Sequence, residues 1–333
     1  MNYRLESDSV GEKQVPADAY YGVQSLRAAE NFHSTGKMIP RVQIESLAEI
    51  KKACALTNKA AGTLDAEIAD KIVEACDELL AGNFHKEFIT DQIQGGAGTS
   101  TNMNANEVIA NIALEKMGKA LGDYKFCHPN DHVNMAQSTN DVYPTSLKLS
   151  IYKEGMELVE VLDNLYNALM AKSEEFRNVL KLGRTQLMDA VPVTLGQEFH
   201  AYASAVARDR KRITNALKEM LVVNMSATAI GTGINSSEYF FNNIVPTLSE
   251  VCGLPLTQCE DMIDGTQNID AFSVVSSSLK TCAISLSKMS NDIRLMNGGP
   301  KAGLAEITIP AKQNGSSIMP GKINPVIPEV MNQ

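Results

Sequence analysis

Residues 272–296, FSVVSSSLKTCAISLSKMSNDIRLM, set Phe272, Val275, Leu279, Cys282, Leu286, Met289, Ile293 and Met296 at alternating spacings of three and four. That rhythm is the a/d stripe of a helix packed nearly parallel to its neighbours in a bundle. Asn297-Gly298-Gly299-Pro300 ends the stripe, because glycine and proline cannot sustain a helix there. Ile151, Gly155, Leu158, Leu162, Leu165 and Leu169 repeat the rhythm earlier in the chain. A third helix is expected from about Leu195 to Val223, with Phe199, Tyr202 and Val206 on one face. Its run Arg208-Asp209-Arg210-Lys211-Arg212 reads as a solvated or inter-subunit charged stretch. Serines at 273, 276, 277, 278, 285, 287 and 290 would let neighbouring helices or subunits approach closely. The expected fold class is all-α (mainly helical), a bundle of long helices.

Upstream of the bundle the texture is mixed. An extended start precedes expected helices at about Arg41–Ala60 and Asp65–Leu80, then a glycine-rich loop and a helix near Asn106–Met117. The change after Asp141 divides the chain into an N-terminal domain, 1–140, and a helical bundle domain, 141–333. Two domains suit 333 residues. Glu329-Val330-Met331-Asn332-Gln333 looks like the opening of a further helix, so the sequence reads as truncated.

Apolar residues make up 44% and charged residues 21%, the balance of a globular protein rather than a disordered one. A net charge of -9 disfavours nucleic acid or an anionic membrane as partner. The first residues lack the apolar core of a signal peptide, and nowhere do eighteen apolar residues run together, so a cytoplasmic location is expected. Cys54, Cys76, Cys127, Cys252, Cys259 and Cys282 form no CxxC pair and read mostly as small buried hydrophobes. His128 and His132 have HxxxH spacing, but Pro129 and Asn130 between them argue for a turn role over metal ligation.

Four polar segments carry the chemistry: Gly95-Gly96-Ala97-Gly98-Thr99-Ser100-Thr101-Asn102, His128–Asp141 with Gln137-Ser138-Thr139-Asn140, Gly183-Arg184-Thr185-Gln186, and Gly315–Pro325. In the last, GSSIMPGKINP, two glycines and two prolines within eleven residues exclude a regular helix or central strand and favour a bent, anion-holding loop. It is not a phosphate-binding P-loop, since five residues separate its glycines and Ile323 follows the lysine. The glycines at 95–98 lack dinucleotide-fingerprint spacing, and no Gly-x-Ser-x-Gly elbow occurs. Taken singly, these segments are also ordinary turns and helix caps. Ser, Thr, Asn and Lys together make a cradle for carboxylates.

GSSIMPGKINP, HPNDHVNMAQSTNDVYPT, GRTQLMDAVPVTLGQEF and GGAGTSTNMNANEVIAN resemble the sequence blocks of the aspartase/fumarase superfamily, and the similarity runs from Met1 to Gln333. Val326-Ile327-Pro328-Glu329-Val330, Met135-Ala136-Gln137-Ser138-Thr139, Gly98-Thr99-Ser100-Thr101 and the start Tyr3–Gly11 look like its aspartase branch rather than its class II fumarases. The resemblance implies elimination of ammonia from L-aspartate to give fumarate through an aci-carboxylate intermediate. It implies Ser316 as the base, ionised with help from Lys322. Thr99, Ser138, Thr139 and Ser317 would hold the β-carboxylate; Thr185, Lys322 and Asn324 the α-carboxylate; Asn140, with Thr99, the amino group. Gln186 departs from the histidine of many members; it would bind substrate by donating a hydrogen bond but cannot titrate near neutrality, so a general acid there is not expected. The resemblance further implies a homotetramer with sites shared by three subunits, and no cofactor, leaving room for a divalent cation as activator. It also implies a C-terminal domain that this sequence lacks. A class II fumarase and a non-catalytic structural homologue are the alternatives.

Overall fold

The computed structural model describes residues 2–333. In chain order come β1 (Tyr3–Asp8), β2 (Gly11–Pro16), α1 (Val23–Asn31), α2 (Arg41–Ala60), α3 (Ala66–Leu80), α4 (Thr99–Lys116), α5 (Thr139–Glu175), β3 (Leu180–Thr185), β4 (Met188–Thr194), α6 (Leu195–Leu217), β5 (Val222–Val223), α7 (Glu238–Cys252), β6 (Thr257–Gln258), α8 (Met262–Gln267), α9 (Asp270–Met296) and α10 (Val326–Asn332). A π-helical turn occupies Pro129–Val133. The fold is mainly helical, as expected, and its strands pair only two at a time. Packing divides it into two compact units, one running to Glu154 and adding Lys218–Ile269, the other comprising Gly155–Leu217 and Asp270–Gln333. The texture change read at 140/141 coincides with the start of α5, whereas the packing division falls inside that helix.

In the first unit β1 and β2 form an antiparallel hairpin, closed by the Asp8 carboxylate accepting from the Val10 and Gly11 N–H groups. Helices α2 and α3 fall where periodicity puts them, and Asp65 caps α3 by accepting from the Glu67 and Ile68 N–H groups. α4 begins seven residues earlier than expected, at Thr99 rather than Asn106. Its first turns are written in hydroxyls and amides, a loop-like composition, but they are covered by protein: every residue from Thr101 to Leu114 is buried. Burial of these polar groups is tolerated largely because Asn104, Glu107 and Asn111 tether neighbouring loops. Asn104 accepts from the Ile89 N–H and donates to the Glu87 carbonyl; Asn111 donates to the Tyr20 carbonyl and accepts from Gly122. Glu107 accepts from the N–H groups of Gly22, Gln24 and Ser25. The apolar core around α4 draws Leu47, Ile50, Ile72, Leu79, Ile109, Ile112, Phe240 and Leu248 from α2, α3, α4 and α7.

The second unit contains the later half of α5 with α6, α9, α10 and the β3–β4 hairpin. On α9, Val275, Cys282, Met289 and Met296 are buried, one every heptad, while Phe272, Leu286 and Ile293 are half-buried and Leu279 is exposed. On α5, Leu162 and Leu169 are buried, and Gly155 makes room for the Leu217 side chain, which an added Cβ would meet at 2.5 Å. α6 ends at Leu217, not Val223; Lys218–Leu221 tightens to a 3-10 turn and Val222–Val223 pairs as a short strand with Thr257–Gln258. The charged run at 208–212 is not uniformly solvated. Asp209 is fully buried and paired with Arg212, and Arg210 pairs with Asp163. The four residues Cys54, Cys76, Cys127 and Cys282 are buried and none of the six cysteines is bridged. No described helix is long and apolar enough to cross a membrane.

Candidate active site

The polar segments fall into the two units. Thr99, Ser138, Thr139 and Asn140 belong to the first; Thr185, Gln186, Ser316, Ser317, Lys322 and Asn324 belong to the second.

In the first unit Gly96, Ala97 and Gly98 are consecutive left-handed residues that turn the chain into α4. Gly98 has φ +93 and lies against the Tyr143 ring, whose Cγ an added Cβ would meet at 2.3 Å. Thr99 is exposed at the helix start, its Oγ1 donating to the Gly96 carbonyl over 2.8 Å. No acidic residue occupies this first turn, and the Thr101 N–H is already taken by the Gln94 side chain, so it is the positive end of the helix dipole that favours an anion there.

Ser138, Thr139 and Asn140 open α5. The Ser138 N–H donates to buried Asp141, and the Ser138 Oγ accepts from the Asn140 N–H. Asp141 also accepts from the Thr228 N–H, and burial pushes its carboxyl up to about 6. Asn140 donates its amide to the Ala229 carbonyl over 2.7 Å, which leaves its Oδ1 as an acceptor. Asn224 in turn donates to the Asn140 carbonyl. Asn224–Ala229, with Ser226 and Thr228 at positive φ, thus braces the turn, a role its composition did not announce.

Below this turn lies Lys51, fully buried on α2, donating to Asn134 Oδ1 and Gln137 Oε1, both at 2.8 Å. Asn134 Oδ1 also accepts from Asn102, so one cation ties α2, α4 and the segment leading to Ser138. Sequence reasoning missed Lys51, since a Lys-Lys pair in an amphipathic helix looks like a solvated face. Burial lowers its pKa to about 8. A lysine depressed in the fold costs stability while both states are protonated, and that cost disappears as pH rises from about 8 through its unfolded value near 10.5. Relative to Lys51→Met, the wild type should therefore gain up to about 3 kcal/mol over that interval, measured by urea unfolding at pH 7.5 and 10. Parallel behaviour of the two proteins would exclude a depressed Lys51.

His128 and His132 serve the π-helical turn. The His128 imidazole accepts from the Asn130 and Asp131 N–H groups, and that of His132 from the His128 N–H, the turn role expected for them. Among the described residues no three His, Cys, Asp or Glu side chains gather as metal ligands would.

In the second unit Gly183–Gln186 is not a loop, as composition suggested, but the end of β3 and a two-residue hairpin turn, with Thr185 opposite Met188. Gln186 (φ 52) and Leu187 (φ 66) are both left-handed, as such a turn requires, though neither is glycine or asparagine. Segment 315–325 is the bent, irregular loop expected. Gly315 N–H donates to the Lys322 carbonyl over 2.7 Å, and Asn324 donates its amide to the Gly315 carbonyl over 3.0 Å. Gly315 is obligatory, since a Cβ would lie 2.5 Å from Asn324 Cγ. Within the closed loop Ser316 Oγ accepts from the Met319 N–H at 3.1 Å, the contact an alkoxide needs. Ser316 and Asn324 are half-buried, while Ser317 and Lys322 are exposed.

A long-helix fold with hydroxyl and amide clusters at helix starts and on a lysine-bearing loop is shared with solved fumarate lyases, and the class is that of the lyases. The chain belongs to this lyase family, whose model matches residues 11–333. It is 52% identical over 331 residues to the aspartate ammonia-lyase of Bacillus subtilis, covering 99% of this chain and 70% of that protein. The Escherichia coli aspartate ammonia-lyase is 47% identical, with 100% and 70% covered. A cobalt-bound fumarate lyase:delta crystallin from Brucella melitensis superposes with a TM-score of 0.98 at 46% identity, covering 100% of this chain and 73% of that one. A class II fumarase from Schistosoma mansoni gives 0.95 at 36% identity, covering 99% and 73%.

Proposed function

We infer that this protein is an aspartate ammonia-lyase, a carbon–nitrogen lyase that reversibly eliminates ammonia from L-aspartate to give fumarate. The carrying observation is 52% identity through 99% of the chain to an enzyme of that name, against 36% for the class II fumarase. The local geometry supports the chemistry. The difficult step is removal of a weakly acidic Cβ proton, which drives a second negative charge onto the β-carboxylate. Ser316, as alkoxide, takes that proton; the Met319 N–H and the Lys322 charge stabilise it beforehand. The β-carboxylate, as the doubly charged aci-carboxylate, is received by Thr99, Ser138, Thr139 and Ser317. Donors fixed in advance at such a charge are worth about 3–4 kcal/mol each. Thr185, Lys322 and Asn324 take the α-carboxylate.

The amino group is a cation and calls for acceptors. Asn140 supplies one, because its amide nitrogen is already engaged by Ala229. Collapse of the intermediate forms the C=C bond, and the C–N electrons leave with the nitrogen as ammonia. A group that departs from its protonated form needs no further acid, which fits a glutamine at 186.

We further propose a cytoplasmic homotetramer with sites completed by three subunits, in keeping with six unbridged thiols and with Val161, Ile284 and Leu295 exposed on long helices. No cofactor enters the reaction, and a divalent cation would act only as an activator. In the complete gene product, L-aspartate is expected to yield fumarate, read by its ultraviolet absorbance, from a species eluting as four chains. Fumarate from L-malate alone would favour a fumarase, and no turnover of either a structural homologue.

A further inference from the structure

The hairpin turn that carries Thr185 and Gln186 has both central residues left-handed without glycine. Such residues are strained and persist only where their surroundings hold them. The holding contact lies one residue away. Arg184 forks onto the Glu306 carboxylate through both terminal nitrogens, Nη2 reaching Oε2 at 2.8 Å. Lys181 Nζ reaches the same Oε2 at 2.8 Å and also Glu198 at 2.8 Å.

Lys181 and Arg184 are three apart on β3, a spacing that sends side chains to opposite faces of a flat strand. A bulge between Leu182 and Arg184 breaks the ladder and adds twist, and both cations converge on one acid. Their side chains are only 9% and 15% exposed, and that of Glu306 20%. Arg184, and then Lys181, hold the Glu306 carboxyl down at about 2, so the cluster stays ionised across any working pH.

The acid's own backbone is equally fixed. The Glu306 N–H donates to the Met296 carbonyl at 2.9 Å, Ala305 to Gly298 at 2.8 Å, and Ile309 to the Asn297 side chain at 3.1 Å. Glu306 thus joins the end of α9 to the base of the turn, on the segment that runs on to the Ser316 loop.

We propose that Glu306 is a positioning residue for the elimination: through Arg184 and Lys181 it fixes the Thr185–Gln186 turn so that Thr185 meets the α-carboxylate of the substrate. This rests on the role given to Thr185 above. A contact made alike in ground and transition states appears in KM more than in kcat.

The test is steady-state kinetics of Glu306→Gln, Glu306→Asp, Arg184→Lys and the Arg184→Lys/Glu306→Gln double variant in the complete gene product. Glu306→Gln should raise KM about tenfold with kcat within about threefold. Glu306→Asp, keeping the charge, should recover much of the loss. Arg184→Lys keeps charge but loses the fork and should raise KM in the same direction, and the double variant should be no worse than the worse single change. Should Glu306→Gln fail to fold, the Arg184→Lys and Glu306→Asp KM values decide alone. Unchanged KM, or independent effects that multiply in the double variant, would overturn the proposal. Wild-type turnover of L-aspartate carries the functional reading. The variant-to-wild-type KM ratio, read on whichever acid the wild type uses, carries this one, so the two fail separately.

Discussion

Replacing Ser316 by alanine in the complete gene product is expected to lower kcat for L-aspartate by about a thousandfold or more, with KM little changed. Loss of the proton acceptor at the difficult step removes about 4 kcal/mol or more of barrier lowering. The cradle for the carboxylates is formed by other side chains, so binding should persist. The fold should persist as well: the Ser316 hydroxyl accepts one backbone N–H, from Met319, in a half-buried loop where water can replace it. Rate measurements with equal thermal midpoints for the two proteins make the comparison. A Ser316→Ala enzyme within tenfold of wild-type kcat would take the base away from this residue.

The largest expected stability effect belongs to Gly98→Ala. Two penalties coincide there: φ of +93, which an L-residue resists, and a Cβ that must enter the Tyr143 ring at 2.3 Å. Backbone strain of about 1–3 kcal/mol and overpacking of about 1–3 kcal/mol give an expected loss of about 2–6 kcal/mol. Activity should fall with it, because Gly98 aims the first turn of α4 and with it Thr99. The clash is specific to one ring, so Gly98→Ala and Tyr143→Ala together should cost less than their separate sum, measured by chemical unfolding. Strict additivity would show that the ring is not the obstacle.

How far the sequence reaches differs from segment to segment. α2 and α3 lie where periodicity and the Asp65 cap place them, since those signals are local. The α9 stripe is legible as a helix, but only the row Val275, Cys282, Met289 and Met296 is buried within the chain. A period of seven says that two rows want cover, not which neighbour supplies it. At the start of α4 the run Thr99–Asn102 looks like loop, yet Thr101 and Asn102 are buried and bonded by Gln94 and Asn134 from outside the helix. Gly183–Gln186 likewise looks like loop, because a hairpin turn without glycine or asparagine at its two central positions carries no local signature.

The candidate site shows the same split. The bent loop that carries Ser316, Lys322 and Asn324 is legible because glycine and proline spacing fixes it locally, and the structure closes it as composition suggests, whereas the roles proposed for these residues come from the family resemblance. Lys51 and Glu306 carried no signal at all, one lost among surface-like lysines and the other in an aperiodic segment.

The sequence by itself determined the helical class, the bent loop at 315–325 and the family, because periodicity, glycine and proline placement and long polar motifs are properties of neighbouring residues. Tertiary structure alone decided which polar groups are buried, that Lys51 sits under the Ser138–Asn140 turn, and that Glu306 grips β3. Those facts depend on burial and on contacts across many residues of chain, and a side chain's charge and exposure change meaning only once its surroundings are assembled.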